Sequence, residues 1–513
     1  MRAELTKPFG LVFVLLSVST ALAATPSDPK VFRWGADAQG GAPYVFQDPI
    51  DPNRLVGFEV ELAQLLAQRL GVQARPIHGQ WDKLLDLLER GDFDIALNGI
   101  EVAEEKKRVV LLTHPYFVSQ IVLTLRRGEP RGPRTLEALK GRVIGTLPSS
   151  VAERIALGAG AEVRTYEGGQ DQVYDDLKSG RIDGALMDSP IAKFYGDVDD
   201  AFESVPDGFG TVTYAMAVRL DDRARLEQLN GVLDALRADG SLRTLYEKWG
   251  IWNAATAQLF GDWTPAANAP APEFERWRAA VGKLPPFWER VRTRYPALLP
   301  LFLKGAGLTL LVSLFAMILA IALGVTTAMG RRYGPAPVRV LAIAYIEFFR
   351  GTPLLIQLTM LYFGLPELGI RLDPFVAGVV ALGLNYAAAE AENYRAGLES
   401  VHRGQLEASM VLGLSRWQTL RFVVGPQAMR ISIPPMTNDF IALLKDSSLV
   451  SLVTLTELTK TYTSLAASTR DHLGLGVLVA VSYLLIGLPF AQLARLAERY
   501  FGRHLSANQG ASK

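Results

Sequence analysis

Few side chains in this chain could do covalent chemistry, and the rest point to binding. With no cysteine among 513 residues, disulfides, thiolate metal sites, a cysteine nucleophile and a lipidated cysteine are excluded. The five histidines, His78, His114, His402, His472 and His504, are scattered without ligand spacing, so no metal site is expected. No Gly-x-x-x-x-Gly-Lys-Ser/Thr run occurs, so the chain carries no P-loop and any ATP chemistry belongs to another subunit. What remains is charge in unusual places. Glu390 and Glu392, with Asn393 between long apolar stretches, are candidates for a membrane cavity, because a carboxylate in an apolar span is costly and usually faces a cavity or a partner. Between Glu399 and Gln427 a polar segment, ESVHRGQLEASMVLGLSRWQTLRFVVGPQ, interrupts the apolar helices. A short helix of small residues closed by a glycine turn is a shape that another protein's groove can seat.

The elements that must position these residues divide the chain. Its length suggests two or three domains, and a net charge of +1 with no basic tract gives no sign of nucleic acid. Arg2 and Lys7, the apolar run FGLVFVLLSVSTALA and Ala21-Leu22-Ala23 read as a signal peptide over 1–23, so the domain after it is expected to be exported. Over 24–255, strand-like runs such as VFRWGAD, FDIALNGI and GRVIGTL alternate with helical ones such as GFEVELAQLLAQRLGV. That alternation predicts parallel α/β sheets with ligand sites at the strands' carboxyl ends. Residues 256–297 read as a linker, a flexible Pro/Ala-rich tether followed by an aromatic and basic interfacial segment. Over 298–505, apolar runs near 300–329, 338–365, 373–397 and 474–497, and a more polar one around 429–455, predict about five membrane helices; 506–513 is a tail. Arg331, Arg332, His402, Arg403, Arg495 and Arg503 then all fall on the cytoplasmic side, as the positive-inside tendency requires, and so does the 399–427 loop.

The exported part resembles the periplasmic binding proteins for polar amino acids over nearly all of residues 30–252. The resemblance rests on VGFEVELAQLLAQRLGV, WDKLLDLLERGDFDIALNGIEVAEEKKRVVLLTHPYF, LKGRVIGTLPSSVAE and LKSGRIDGALMD. It implies two α/β lobes on a hinge, closing over a ligand. By position it makes Trp81 the aromatic that stacks on the ligand's side chain and Asn98 and Gly99 strand-end contacts. Ser149 and Ser150 lie where a helix start receives a carboxylate, and Asp188 is the partner of an α-ammonium group. Asp37 joins these as a substrate-binding candidate. The family's carboxylate-binding arginine is here Lys106, which keeps the charge but loses the two-pronged fit. Glu101 replaces a small hydroxyl residue beside the pocket.

The membrane part resembles the type I permeases of ATP-binding-cassette importers for amino acids. The family's coupling-loop pattern falls on Glu407, Ala408, Ser409, Gly413, Val423, Gly425 and Pro426, with Ser409 and Gly425 departing from it. KGAGLTLLVSL, IEFFRGTPLLIQLTMLYFGLP, NYAAAEAENYRAGLESV and NDFIALLKDSSLVSLVTLTEL extend the match across 301–497. Together the two resemblances imply a bilobed type II binding protein followed by an all-α permease, fused in one chain. The function implied is the substrate-capturing and membrane-spanning subunit of an ATP-driven importer for amino acids, polar and including cationic ones, or similar small solutes. Its implied partners are a cytoplasmic ATPase dimer carrying ATP and Mg, a second permease subunit (itself or a paralogue), the ligand and the membrane. The implied location is the inner membrane with the N-terminal domain outside. Two other classes fit parts of the chain. A ligand-gated receptor uses the same bilobed domain, but its pore helices interrupt the lobes, whereas here they follow them. A periplasmic lyase on this fold needs a general acid or base in the cleft, for which Glu101 is the odd candidate.

Overall fold

The computed structural model describes residues 31–509 apart from 40, 130–131, 167–168, 206–208, 265–270 and 283. The expected signal peptide and the end of the tail, 510–513, lie outside the described residues. The chain divides into two compact units, one within Ser27–Leu299 and Tyr462–Leu475, the other within Pro300–Thr461 and Gly476–Lys513.

The first unit contains two α/β lobes. Its strands are β1 Val31–Ala36, β2 Phe46–Gln47, β3 Leu55–Val56, β4 Gln73–His78, β5 Ile95–Ala96, β6 Leu111–Leu112, β7 Phe117–Arg126, β8 Val143–Thr146, β9 Glu162–Thr165, β10 Gly184–Asp188, β11 Phe202–Val205, β12 Thr211–Tyr214 and β13 Ala217–Val218. One sheet has the order β4-β1-β5-β13-β6 and the other β11-β7-β10-β8-β9, with β12 on β7. The chain passes from the first sheet to the second after β6 and returns after β12, which is the two-strand connection of a hinged bilobed domain. Parallel pairing of β1 with β4 and β5, and of β8 with β9 and β10, aims the loops after β1, β5, β8 and β10 at one cleft. Helices α1 Phe58–Leu70, α2 Leu84–Arg90, α3 Val151–Gly158 and α4 Gln170–Ser179 cover the sheets. Phe58, Leu62 and Leu66 of α1 and Val173 and Leu177 of α4 are buried at helical spacing.

Helices α5 Arg223–Ala238 and α6 Ser241–Trp249 close this domain, but it does not stop at residue 255. Of the expected tether, residues 265–270 lie outside the described residues; on either side of them the chain forms α7 Ala254–Phe260 and α8 Pro272–Val281, and the expected interfacial segment contains α9 Phe287–Thr293. The cause is side-chain anchoring. Thr256 donates to the Val118 carbonyl at 2.8 Å, and the Trp277 indole donates to the Phe194 carbonyl at 2.8 Å. Trp277 is fully buried among aromatic rings, and such burial outweighs the chain entropy that composition alone predicts. Residues 462–475, read from the sequence as membrane domain, also group with this unit. Here Asp471 accepts from Arg290 at 2.5 Å and Tyr295 at 2.9 Å, and His472 pairs with Asp171.

The second unit is helical, built from α10 Tyr295–Tyr333 after its first turn, α11 Ala336–Gly351, α12 Leu354–Thr359, α13 Pro374–Glu399, α14 Arg403–Val411, α15 Arg416–Thr419, α16 Gly425–Asp446, the start of α17 Leu458–Thr469 and α18 His472–Gln509 from Gly476 on. Among the described residues three helices are long and apolar enough to cross a membrane, α10, α13 and α18 to Leu496. The run expected as one span near 338–365 is bent by 106° at Thr352-Pro353, because proline lacks the N–H that would continue the helix. The fifth expected run is helical over α16, but Asn438, Asp439, Lys445 and Asp446 keep it more polar than a lipid-facing span. It lies against α13, where Ser432 donates to the Asn393 carbonyl at 3.2 Å and the Asn393 amide donates to Asp439 at 2.8 Å.

Candidate functional site

Asp188 stands at the carboxyl end of β10 and remains partly exposed in the cleft between the lobes. Two tyrosines that sequence reasoning passed over hold it in place. Tyr214 donates to its Oδ2, and so does Tyr44 at 3.2 Å, while the two phenol oxygens lie 3.3 Å apart. Surrounding protein pushes the Asp188 carboxyl up to about 7, with the nearby Glu101 charge adding to burial and the tyrosine hydrogen bonds opposing both. Tyr44 sits in GAPYVF, a short run that carries no helix or strand period. Nothing in the local pattern around Tyr214 marks it, since only strand pairing brings it to the cleft.

The first lobe supplies Trp81, which is partly exposed and so is no core residue. Its ring is fixed from behind: the indole N–H donates to the Asn98 carbonyl at 2.8 Å, and its backbone N–H donates to Asp37 at 3.1 Å. The Lys106 ammonium lies 5.2 Å from the ring centroid, a cation–π distance. Asp37 and Asn98 are therefore both engaged in holding Trp81. The Asp37 backbone N–H donates to the Asn98 side-chain oxygen at 2.7 Å, and the Asn98 amide reaches Glu59 at 3.4 Å. Gly99 takes a left-handed φ of +60° with Tyr44 and Tyr214 rings against the space a Cβ would fill, so a side chain there would be strained and would crowd the cleft.

Glu59, also missed, is completely buried beneath this loop. It accepts from the Gly99 N–H at 2.7 Å and from Tyr116. Burial pushes its carboxyl from 4.5 up to about 7. The sign follows directly. Between those two values the folded domain holds a proton that the unfolded chain has released, so stability falls as pH rises through that window. For the wild type we expect a loss of about 3 kcal/mol at most across it. Thermal unfolding of Glu59→Gln at pH 5 and pH 8 should show a clearly smaller difference than wild type, and an equal difference would refute the assignment.

On the facing side, α3 begins at Val151. Ser150 caps it, accepting from the Glu153 N–H at 3.1 Å and donating to the Leu147 carbonyl at 2.8 Å. The Ser149 N–H donates to the Glu153 carboxylate at 2.6 Å, and its φ is +58°. The first free N–H of the helix, that of Val151, does not await a ligand: it donates to Glu101 Oε1 at 2.8 Å. Glu101 is 3% exposed. Its Oε2 lies 3.7 Å from Lys106 and 3.5 Å from Arg154, a residue that sequence reasoning also passed over. Burial pushes the Lys106 ammonium down, and the Glu101 charge partly restores it.

In the second unit the predicted coupling residues form a protruding turn. Glu407, Ala408, Gly413 and Pro426 are exposed, whereas Ser409 is buried and pins α14, donating to the Leu406 carbonyl at 2.7 Å and accepting from Thr419 at 3.1 Å. Gly413 has φ +75°, the conformation that ends α14 and that a side chain resists. Ser415 and Gln418 open the next helix with a capping box. Beside these stand apolar side chains left in the open, among them Val411 at 87% and Leu412 at 78% exposure, with Trp417 and Phe422. Of the two carboxylates considered for a membrane cavity, Glu390 is wholly buried and neither of its oxygens is hydrogen-bonded. Glu392 is drawn into ion pairs with Arg331 and, at 2.8 Å, with Arg395.

Residues 33–251 match the family of bacterial extracellular solute-binding proteins, family 3. Residues 320–503 match the binding-protein-dependent transport system inner membrane component family. The glutamine transport system permease protein of Escherichia coli strain K12 is 37% identical over 207 residues, covering 40% of this chain and 94% of that protein. A probable amino-acid ABC transporter permease protein of Bacillus subtilis strain 168 is 35% identical over 206 residues, covering 40% of this chain and 91% of its own length. The crystal structure of an ancestral amino acid-binding protein, a precursor of cyclohexadienyl dehydratase, is 28% identical and covers 43% of this chain and 95% of that one, with a TM-score of 0.40.

Proposed function

We propose, since this chain belongs to the binding-protein-dependent transport system inner membrane components and carries a family 3 extracellular solute-binding domain ahead of its permease, that it captures amino acids or similar small solutes and passes them inward at the expense of ATP. The observation that carries this reading is one chain holding both a two-lobed cleft with a charged floor and an exposed turn around Glu407 and Gly413. The cleft offers Asp188 to a cationic group and the Trp81 face to a side chain. The turn offers small and apolar residues to a groove on a cytoplasmic ATPase dimer, and a second permease subunit completes the pathway. The binding domain lies outside the cell and the turn inside.

Neither other class finds support here. Both lobes are complete before the first membrane helix begins at Tyr295, unlike a receptor whose pore helices split them. Glu101, the candidate acid of a lyase, is tied up by a helix N–H and two cations, so it has no proton positioned for a substrate. The test is uptake. Proteoliposomes containing the chain and its ATPase should accumulate a radiolabelled amino acid or amine from a panel of both only when ATP is supplied inside. Accumulation of none of them, or accumulation independent of ATP, would refute the reading.

A further inference from the structure

The cleft departs from an amino-acid site in one specific way, and this deepens the importer reading on which it rests. A free α-amino acid brings a carboxylate, which needs hydrogen-bond donors and a positive charge at the point where it lands. The cleft holds such donors together in one place: the Val151 N–H at the start of α3, the Lys106 ammonium and the Arg154 guanidinium. Glu101 already occupies all three, at 2.8, 3.7 and 3.5 Å. It reaches them from the first lobe, where its backbone bridges to Tyr214, so a carboxylate of the protein fills the seat a ligand carboxylate would use. A second carboxylate in that seat would meet like charge, and swinging Glu101 out would strip a buried acid of its partners.

The remaining charge is also unbalanced. Glu101 Oε2 is met by Lys106 and Arg154, whereas among the described residues Asp188 has no cation paired with it and both tyrosine hydroxyls fall on its Oδ2. The Glu101 charge reaches Asp188. Lys106 and Arg154 are both engaged by Glu101, and Arg154 also faces Glu105 at 3.3 Å. The unfilled requirement is for a cation.

We infer that the solute is an organic cation lacking a carboxylate, an amine or guanidinium whose charged end lies between Asp188 and Glu101 and whose stem lies against Trp81. Glu101 is then the specificity-determining residue, acting as a built-in carboxylate that rejects zwitterions.

Matched pairs that differ only in the carboxylate decide this: agmatine against arginine, and cadaverine against lysine, titrated calorimetrically into the full chain in lipid nanodiscs. The decarboxylated member of at least one pair should bind wild type tenfold or more tightly than its amino acid. Glu101→Gln, which keeps the shape but frees Lys106 and Arg154, should weaken the amine at least tenfold and strengthen the amino acid. Asp188→Asn should weaken both. If either amino acid binds wild type more tightly than its amine, or Glu101→Gln leaves the ratio unchanged, the inference is overturned while a bound solute still supports an importer. If no member of either pair binds wild type, the inference is likewise overturned. The importer reading is then judged separately by whether substitution at Glu407 uncouples ATP hydrolysis.

Discussion

Asp188→Ala is expected to weaken ligand binding a hundredfold or more, the largest loss of any single cleft substitution. The change removes a second-lobe carboxylate that stays partly exposed in the cleft. A charged pair lost from a buried site costs about 3 kcal/mol, which corresponds to roughly a hundredfold in affinity. The substitution also deprives the buried Tyr44 and Tyr214 hydroxyls of their acceptor, so part of the loss comes from the protein itself. Asp188→Asn separates the two effects, because it keeps an oxygen for both tyrosines and removes only the charge. If charge is the cause, Asn should lose nearly as much affinity as Ala. The carboxyl is raised to about 7, so protons compete with a cationic ligand below that pH. Wild-type affinity should therefore fall between pH 8 and pH 6, and that dependence should flatten in Asp188→Asn. Calorimetry on the full chain at both pH values checks each statement. Undiminished binding by Asp188→Ala would remove Asp188 from the site.

Glu407→Ala and Gly413→Val should each abolish ligand-stimulated ATP hydrolysis by the assembled transporter while leaving ligand affinity unchanged. Gly413 sits at φ +75° with nothing within 4 Å of where a Cβ would be, so the obstacle to valine is backbone conformation, not crowding. Forcing an L-residue with a branched side chain into that region costs about 1–2 kcal/mol, and the turn is expected to relax out of the shape the ATPase groove accepts. Glu407 is exposed on the preceding helix, so its loss should cost little stability and act through the partner alone. Hydrolysis and binding measured on the same reconstituted vesicles decide the matter. Normal stimulation in both variants would show that this turn is not where the ATPase docks.

Several parts of this protein are legible in its amino-acid sequence. Strand and helix periodicity marks the alternating α/β elements, and Ser409, Gly413 and Pro426 mark the turn through their match to the permease pattern. Asp188, at the end of an apolar strand, is visible through the resemblance to binding proteins, and its place agrees with strand ends being where ligand groups gather. These features are local: each is carried by a run of neighbours whose period or turn chemistry is written in consecutive residues.

Other parts depend on residues far apart in the chain. Glu59, Asn98 and Asp37 form a support behind Trp81 that no periodicity announces, because hydrogen bonds across the fold select their partners. The helices α7 and α8 flank a Pro- and Ala-rich stretch whose composition suggests a tether, and contacts of Thr256 with the Val118 carbonyl and of Trp277 with the Phe194 carbonyl, far apart in the chain, hold them. Composition and local pattern determined an α/β domain, apolar helices and a glycine turn in one chain, since each is carried by neighbouring residues. Whether Glu101 would face solvent, a ligand or Lys106 could be decided only by the approach of α3 to the loop after β5, because a charge takes its function from the charges that folding brings beside it.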